Sequence, residues 1–216
     1  MTTTAINAQG STFSIGTASG SANNITAVAL TNPCRITLTS SVSGLSVGDV
    51  ITIAGISGTT QLNGNSYVVQ YIEAANKIIT LAGVNALAFT PWSSGGTVTP
   101  VVLTPIANVT TFSGFDGSPS ELPATNLSST AMEFIAGLDD EGSFSFEVDY
   151  DGNDPGQLAC QAAKVARATK TFKLVLPDGH TATFSAMLTK FPLAGGINQI
   201  AKRSCALRIT GSVTRA

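Results

Sequence analysis

The chain has 216 residues, of which 43% are hydrophobic and only 11% charged, and its formal net charge is -2. Globular chains usually carry about 25% charged residues, and disorder requires low hydrophobicity together with high net charge. The composition therefore excludes a disordered chain and, having no basic excess, a general nucleic-acid binder. Thr, Ser and Gly take the place of charge, which reads as β-rich with a surface that repels itself little and suits burial against other copies.

In chain order, residues 1–10 lack the basic start and apolar run of a secretory signal. No stretch of about 18 apolar residues follows anywhere, so membrane binding is not expected. Residues 11–23, with Phe13 and Ile15 alternating, look like a first strand. Strand-like runs then recur at 25–30, 35–40, 49–54, 67–73, 77–81 and 97–102, separated by Gly/Ser/Asn turns such as Asn63-Gly64. That rhythm predicts a small β-barrel or sandwich. The segment 24–99 carries only Arg35, Asp49, Glu73 and Lys77 as charges. Its lone Trp92, beside Pro91, suits a core plug better than a sugar-stacking platform.

Residues 106–112 read as a further strand. The stretch 114–142 holds Gly, Ser, Pro and acids around two short apolar pieces, 122–127 and 132–138. Long segments without a strong period are usually functional or disordered, and this one reads as an arm that becomes ordered against a neighbour. Next, Phe144, Phe146, Val148 and Tyr150 alternate with Ser143, Ser145, Glu147 and Asp149, a half-buried strand. Asp154 suits an N-cap and Pro155 a first helical residue. Leu158, Ala162, Val165 and Ala166 follow at helical spacing, which predicts one helix over 155–169 lying on a sheet by that face. Lys164, Arg167 and Lys170 sit at the end favoured by the helix dipole. A strand with Phe172, Leu174 and Leu176 inward, a turn at Pro177-Asp178-Gly179-His180 and a strand with Ala182, Phe184, Ala186 and Leu188 inward make a hairpin. A loop at 192–198 precedes a last strand with Cys205, Leu207, Ile209 and Val213 inward.

No catalytic constellation emerges, so the chain is not expected to be an enzyme or to need a cofactor or metal. His180 is the only histidine and lies in a turn, far from the requirements of a triad. Cys34, Cys160 and Cys205 match no zinc spacing and read as buried thiols of a protein folded in a reducing cytosol. Asp139-Asp140-Glu141 lacks the alternation of a calcium loop. Asp149, Asp151 and Asn153 alternate, but Gly152 comes too early and Cys160 stands where the closing glutamate belongs. Ten of the thirteen acids lie within 116–154 and nine of the eleven Lys and Arg from 164 onward. These blocks are either two solvated faces or complementary patches that meet between copies; acids lining a channel would instead repel DNA phosphates.

Two stretches carry a family resemblance. Thr111-Phe112-Ser113-Gly114, residues 126–135 leading to Gly137-Leu138-Asp139-Asp140, Phe144-Ser145-Phe146, and residues 172–179 occur in an order and spacing similar to the major tail tube proteins of long non-contractile (siphovirus-type, lambda-like) phage tails. Residues 44–53, Leu62-Asn63-Gly64 and Tyr67 resemble a small β module that recurs in phage structural proteins. The resemblance implies a mainly β fold with one flanking helix, in which residues 1–23 and 100–216 form a discontinuous tube domain. Residues 24–99 would be an inserted small β domain on the tube exterior. It further implies a structural virion protein, assembled in the host cytoplasm, whose hairpins close an inter-subunit β-barrel in a homohexameric ring. Stacked rings would conduct DNA during ejection. Expected partners are further copies of the chain, a tape measure protein, a tail terminator, tail-tip or baseplate proteins, and passing DNA. Candidate contacts between copies or rings are Leu127, Met132, Phe134, Asp139, Asp140, Glu141, Lys170, Lys190 and Arg203; Glu147 and Asp149 are the candidates to face the channel. The rival readings are a β-rich adhesin or carbohydrate-binding protein centred on Trp92, and a tube of a contractile or secretion system.

Overall fold

The structure is a computed structural model and describes residues 5–40, 42, 44–126 and 128–215. The chain divides into two compact units. One comprises Met1–Pro105, Thr171–Thr183 and Thr214–Ala216, the other Ile106–Lys170 and Phe184–Val213.

In the first unit, β1 (Thr12–Ser19), β2 (Asn23–Ala29), β3 (Arg35–Leu38), β4 (Val50–Ser57), β5 (Ser66–Glu73), β6 (Ile78–Leu81) and β7 (Ser94–Pro105) follow the expected rhythm. The order β2-β3-β6-β5-β4-β7 returns to β2 through Asn23↔Val98 and Asn24↔Thr97, so six strands form a closed circuit. Closure leaves this circuit few free edges for pairing with other chains. Its interior is aliphatic: Ile36, Leu38, Ile51, Ile53, Leu62, Val69, Ile79, Leu81 and Val98 are buried together. Trp92 packs on this core, and its Nε1 donates to the Gly95 carbonyl at 3.0 Å, which accounts for the residue without a sugar.

The 12-residue β7 outlasts the circuit. Its far end pairs with β1 from Ser19↔Val101 to Ser14↔Pro105. Gly20 N donates to Pro100 O at 2.6 Å, so the chain enters and leaves residues 20–100 side by side. β1 then pairs with β12 (Thr169–Val175), where Phe13 stacks on Phe172 at 5.5 Å.

In the second unit, β8 (Val109–Gly114), β11 (Ser143–Asp149), β14 (Lys202–Arg215) and the later part of β13 (Thr181–Lys190) lie in the order β13-β14-β11-β8. Among the described residues its α-helix is α1 (Pro155–Ala166). Phe144 is fully buried and meets Phe112, Phe115 and Phe184 at ring distances of 6.3, 5.3 and 5.3 Å.

The structure departs from the sequence-based expectation at three places. The strand expected at 106–112 is interrupted: Ile106 is buried, Asn108 takes the left-handed conformation at φ 59°, and β8 begins only at Val109. The arm at 114–142 contains a two-stranded hairpin of its own, β9 (Pro119–Pro123) with β10 (Phe134–Asp139).

The helix is also rotated and shorter than the periodicity suggested. It buries Gly156, Gln157, Cys160 and Ala163, whereas Leu158, Ala162, Val165 and Ala166 are exposed. The cause is a polar clip at its N-terminus. Asp154 Oδ2 accepts from Gln157 N (2.7 Å) and Ala107 N (3.3 Å), while Gln157 Nε2 donates to Asp149 O at 3.0 Å. Once Gln157 is drawn inward, the small residues 156, 160 and 163 follow on the same face at helical spacing. Arg167, left-handed at φ 51°, ends the helix, its N–H bonding the carbonyls of Ala163 and Lys164, a C-terminal cap.

Candidate assembly interface

The arm has a firm base and a bare tip. At the base, Asp116 Oδ1 accepts from Ser143 N (2.7 Å) and Ser143 Oγ (3.1 Å), and Phe115 N donates to Ser143 O at 3.0 Å. A Cβ on Gly117 would collide with the Asp140 carbonyl, so only glycine fits where the two ends of the arm cross. Asp140 accepts from Gly142 N at 2.9 Å and pairs with Arg208, and Glu141 Oε1 accepts from Val213 N at 3.2 Å.

Hydrogen bonds from Ser143 hold the Asp116 carboxyl below its ordinary value, and the bond from Gly142 N followed by that from Arg208 does the same for Asp140. A lowered carboxyl gives stability that is complete above the unfolded value, about 3.9 for Asp. It is lost only as pH falls through the lowered folded values. The amide resonances of Ser143 and Gly142 should therefore stay unchanged from pH 8 to 5 and move only in stronger acid; a transition between pH 5 and 7 would contradict this tie.

At the tip, β9 and β10 are exposed along almost their whole length. Ile135 and Leu122 are paired and so share one face, while Phe134 lies on the other. Leu138 is 88% and Met132 75% exposed. An isolated two-stranded hairpin is at best marginal in water.

The candidate contact residues fall into two groups. Met132, Phe134, Asp139 and Lys190 are exposed and Lys170 is half-buried; Leu127 lies outside the described residues. Asp140, Glu141 and Arg203 are engaged inside their own chain. Arg203 lies 4.9 Å from the Tyr150 ring centre and 4.4 Å from that of Phe191. Glu147 and Asp149 are half-buried in the row opposite Phe144, Phe146 and Val148. Their partners across the sheet are Ser204 and Lys202, with Glu147 accepting from Ser204 Oγ at 3.1 Å and Lys202 Nζ 3.7 Å from Asp149. Part of the acidic and basic blocks of the sequence is thus matched within one chain.

Residues 57–216 match the family model described as phage tail tube protein, TTP. The chain belongs to the phage tail tube protein family. No curated protein matches it. Among solved structures, this tail tube family member is similar over 53% of its length to a chain in the virion of a native gene transfer agent particle (18% identity, TM-score 0.46, 88% of that chain covered). It is also similar to a chain in the tail of an empty gene transfer agent particle refined with C6 symmetry (19% identity, TM-score 0.46, 53% and 86% covered). A third similarity is to a chain of the six-fold symmetrised anti-feeding prophage baseplate (15% identity, TM-score 0.42, 53% and 84% covered).

Sequence reasoning missed one buried charge in this tube-family chain. Lys173 reads as outward, yet it is 8% exposed. Its Nζ donates to Asp49 Oδ1 at 2.9 Å and to Val47 O at 3.3 Å, and Thr183 Oγ1 donates to Gly48 O at 3.1 Å. Gly48 sits at φ 82°, and a Cβ there would lie 2.8 Å from Thr181 Oγ1. The only sequence signal was a lone aspartate in a segment nearly free of charge.

Proposed function

We propose that this chain is the major tube subunit of a long non-contractile, siphovirus-type tail. Six copies close a ring, rings stack, and DNA passes through the bore during ejection. The observation that carries this reading, beyond family membership, is the β9–β10 hairpin. It presents apolar side chains on both faces and, among the described residues, they remain largely exposed. Large exposed apolar groups at one place mark contact sites, and here the base of the arm is fixed while the tip is bare.

In this reading residues 1–23 and 100–216 form the tube wall and 24–99 are an insertion on the exterior. The adjacency of residues 20 and 100 supports the insertion, because a module whose ends meet is tolerated in a surface loop. The row holding Glu147 and Asp149 faces the bore; Lys202 offsets the Asp149 carboxylate, and Glu147 is left to discourage phosphate binding. A tape measure protein sets the length, and terminator and tip proteins cap the ends.

Negative-stain microscopy of the purified protein at high concentration tests the reading. Rods of uniform width are expected, and a persistent monomer would refute it. Asp139→Lys is expected to lower rod yield while changing monomer stability by less than about 0.5 kcal/mol, the usual range for an exposed site. Full rod yield with altered DNA ejection would move Asp139 from the interface to the bore.

A further inference from the structure

The rotation of α1 leaves a second bare surface. Leu158, Ala162 and Val165 lie at i, i+4 and i+7 on its outer side, and Val165 is 80% exposed. That spacing is the apolar stripe of a helix that packs against something, yet the side turned to its own sheet is the opposite one. We propose that this outer face of α1 seats the β9–β10 hairpin of a second copy of the chain, a contact that rests on the tube reading and names its receiving surface.

Size, chemistry and charge all favour that occupant. From Leu158 to Val165 the stripe runs about 10 Å at 1.5 Å per residue, and Phe134 to Leu138 spans about 14 Å at 3.4 Å per residue. Both surfaces are apolar and exposed within the same chain, so neither covers the other in the monomer. The hairpin carries the exposed acids Glu121, Glu133 and Asp139, and Arg167 stands exposed at the C-terminal end of the helix, whereas Lys164 donates to the Thr189 carbonyl of its own chain. Opposite charges at the rims of two apolar patches orient the pair and disfavour other registers. In a tube the contact is head-to-tail, each copy offering its hairpin to the next copy rather than exchanging hairpins with a single partner. Such contacts do not saturate in a dimer but propagate into rings or filaments.

Cross-linking reads the contact directly. In the full chain, Leu138→Cys and Val165→Cys are combined, the protein is assembled and then mildly oxidised. The native thiols do not interfere: Cys34, Cys160 and Cys205 are buried, and burial raises Cys34 to about 11 and Cys205 to about 12. A disulfide needs the two Cα atoms within about 7 Å, so a covalent ladder of multimers on a denaturing gel is the expected result, lost when either cysteine is present alone. Rods without a ladder would overturn the contact and leave the tube reading standing. Rods with a ladder from Ile197→Cys and Val165→Cys instead would give the helix to the 192–200 loop and also overturn it. Failure of the unaltered chain to form rods would remove both readings. Should the double cysteine variant not assemble, Arg167→Glu is expected to lower rod yield, with recovery on adding Glu133→Arg or Asp139→Arg; recovery by neither counts against the contact.

Discussion

Alanine at Phe144 is expected to destabilise the chain by about 3–5 kcal/mol, the usual cost of removing a buried phenylalanine. Phe144 is fully buried, and its ring joins Phe112, Phe115 and Phe184, with Phe115 and Phe184 also meeting edge-on at 5.4 Å. The backbone at Gly114 approaches so closely that a Cβ there would stand 2.6 Å from Phe144 Cδ2. A cavity at this point cannot fill by a small side-chain shift, because the neighbouring strand is already in contact. Since domains are stable by only about 5–15 kcal/mol, the variant should show a greatly lowered urea midpoint and little soluble material at 37 °C. A shift worth less than about 1 kcal/mol would mean that the aromatic cluster does not hold this sheet together.

Removing the Lys173 amine should have the next largest effect. Lys173→Met leaves the Asp49 carboxylate without its cation in a half-buried loop, and breaking such a pair from one side costs on the order of 3 kcal/mol. Adding Asp49→Asn should return most of that loss, because the amide still accepts from Ser46 N, a bond now 2.8 Å long to Asp49 Oδ2, while the uncompensated charge is gone. The double-mutant cycle in denaturant melts measures this coupling. If the two losses simply add, the pair does not act as a unit and the loop at 47–49 is held by Thr183 and Gly48 alone.

The strands were legible where one face is buried. Phe144, Phe146 and Val148, and again Cys205, Leu207, Ile209 and Val213, alternate in the sequence and are buried in the structure. Asp154 and Pro155 announced the helix start. The helix face was not legible, because the residues that turn inward are Gly, Gln, Cys and Ala. Their burial is set by hydrogen bonds between the Gln157 side-chain amide and the backbone of Asp149, Asp151 and Ala107, which no periodicity records. The hairpin in the arm was hidden for a related reason. Its strands are short and exposed on both faces, so they lack the alternation that one-sided burial imposes. The acidic and basic blocks suggested pairing between copies, but antiparallel register alone brings Asp149 to Lys202 and Ser143 to Arg208 within one chain. What remained bare after these internal pairings, the tip of the arm and the outer helix face, is where the case for assembly rests.

Helical reconstruction of rods formed by the purified chain tests that case most directly. Rings of six copies around an open bore are expected, with a sheet that continues from one copy to the next and residues 134–138 resting on α1 of another copy. Rods without a bore, built of copies whose sheets do not join, would contradict it.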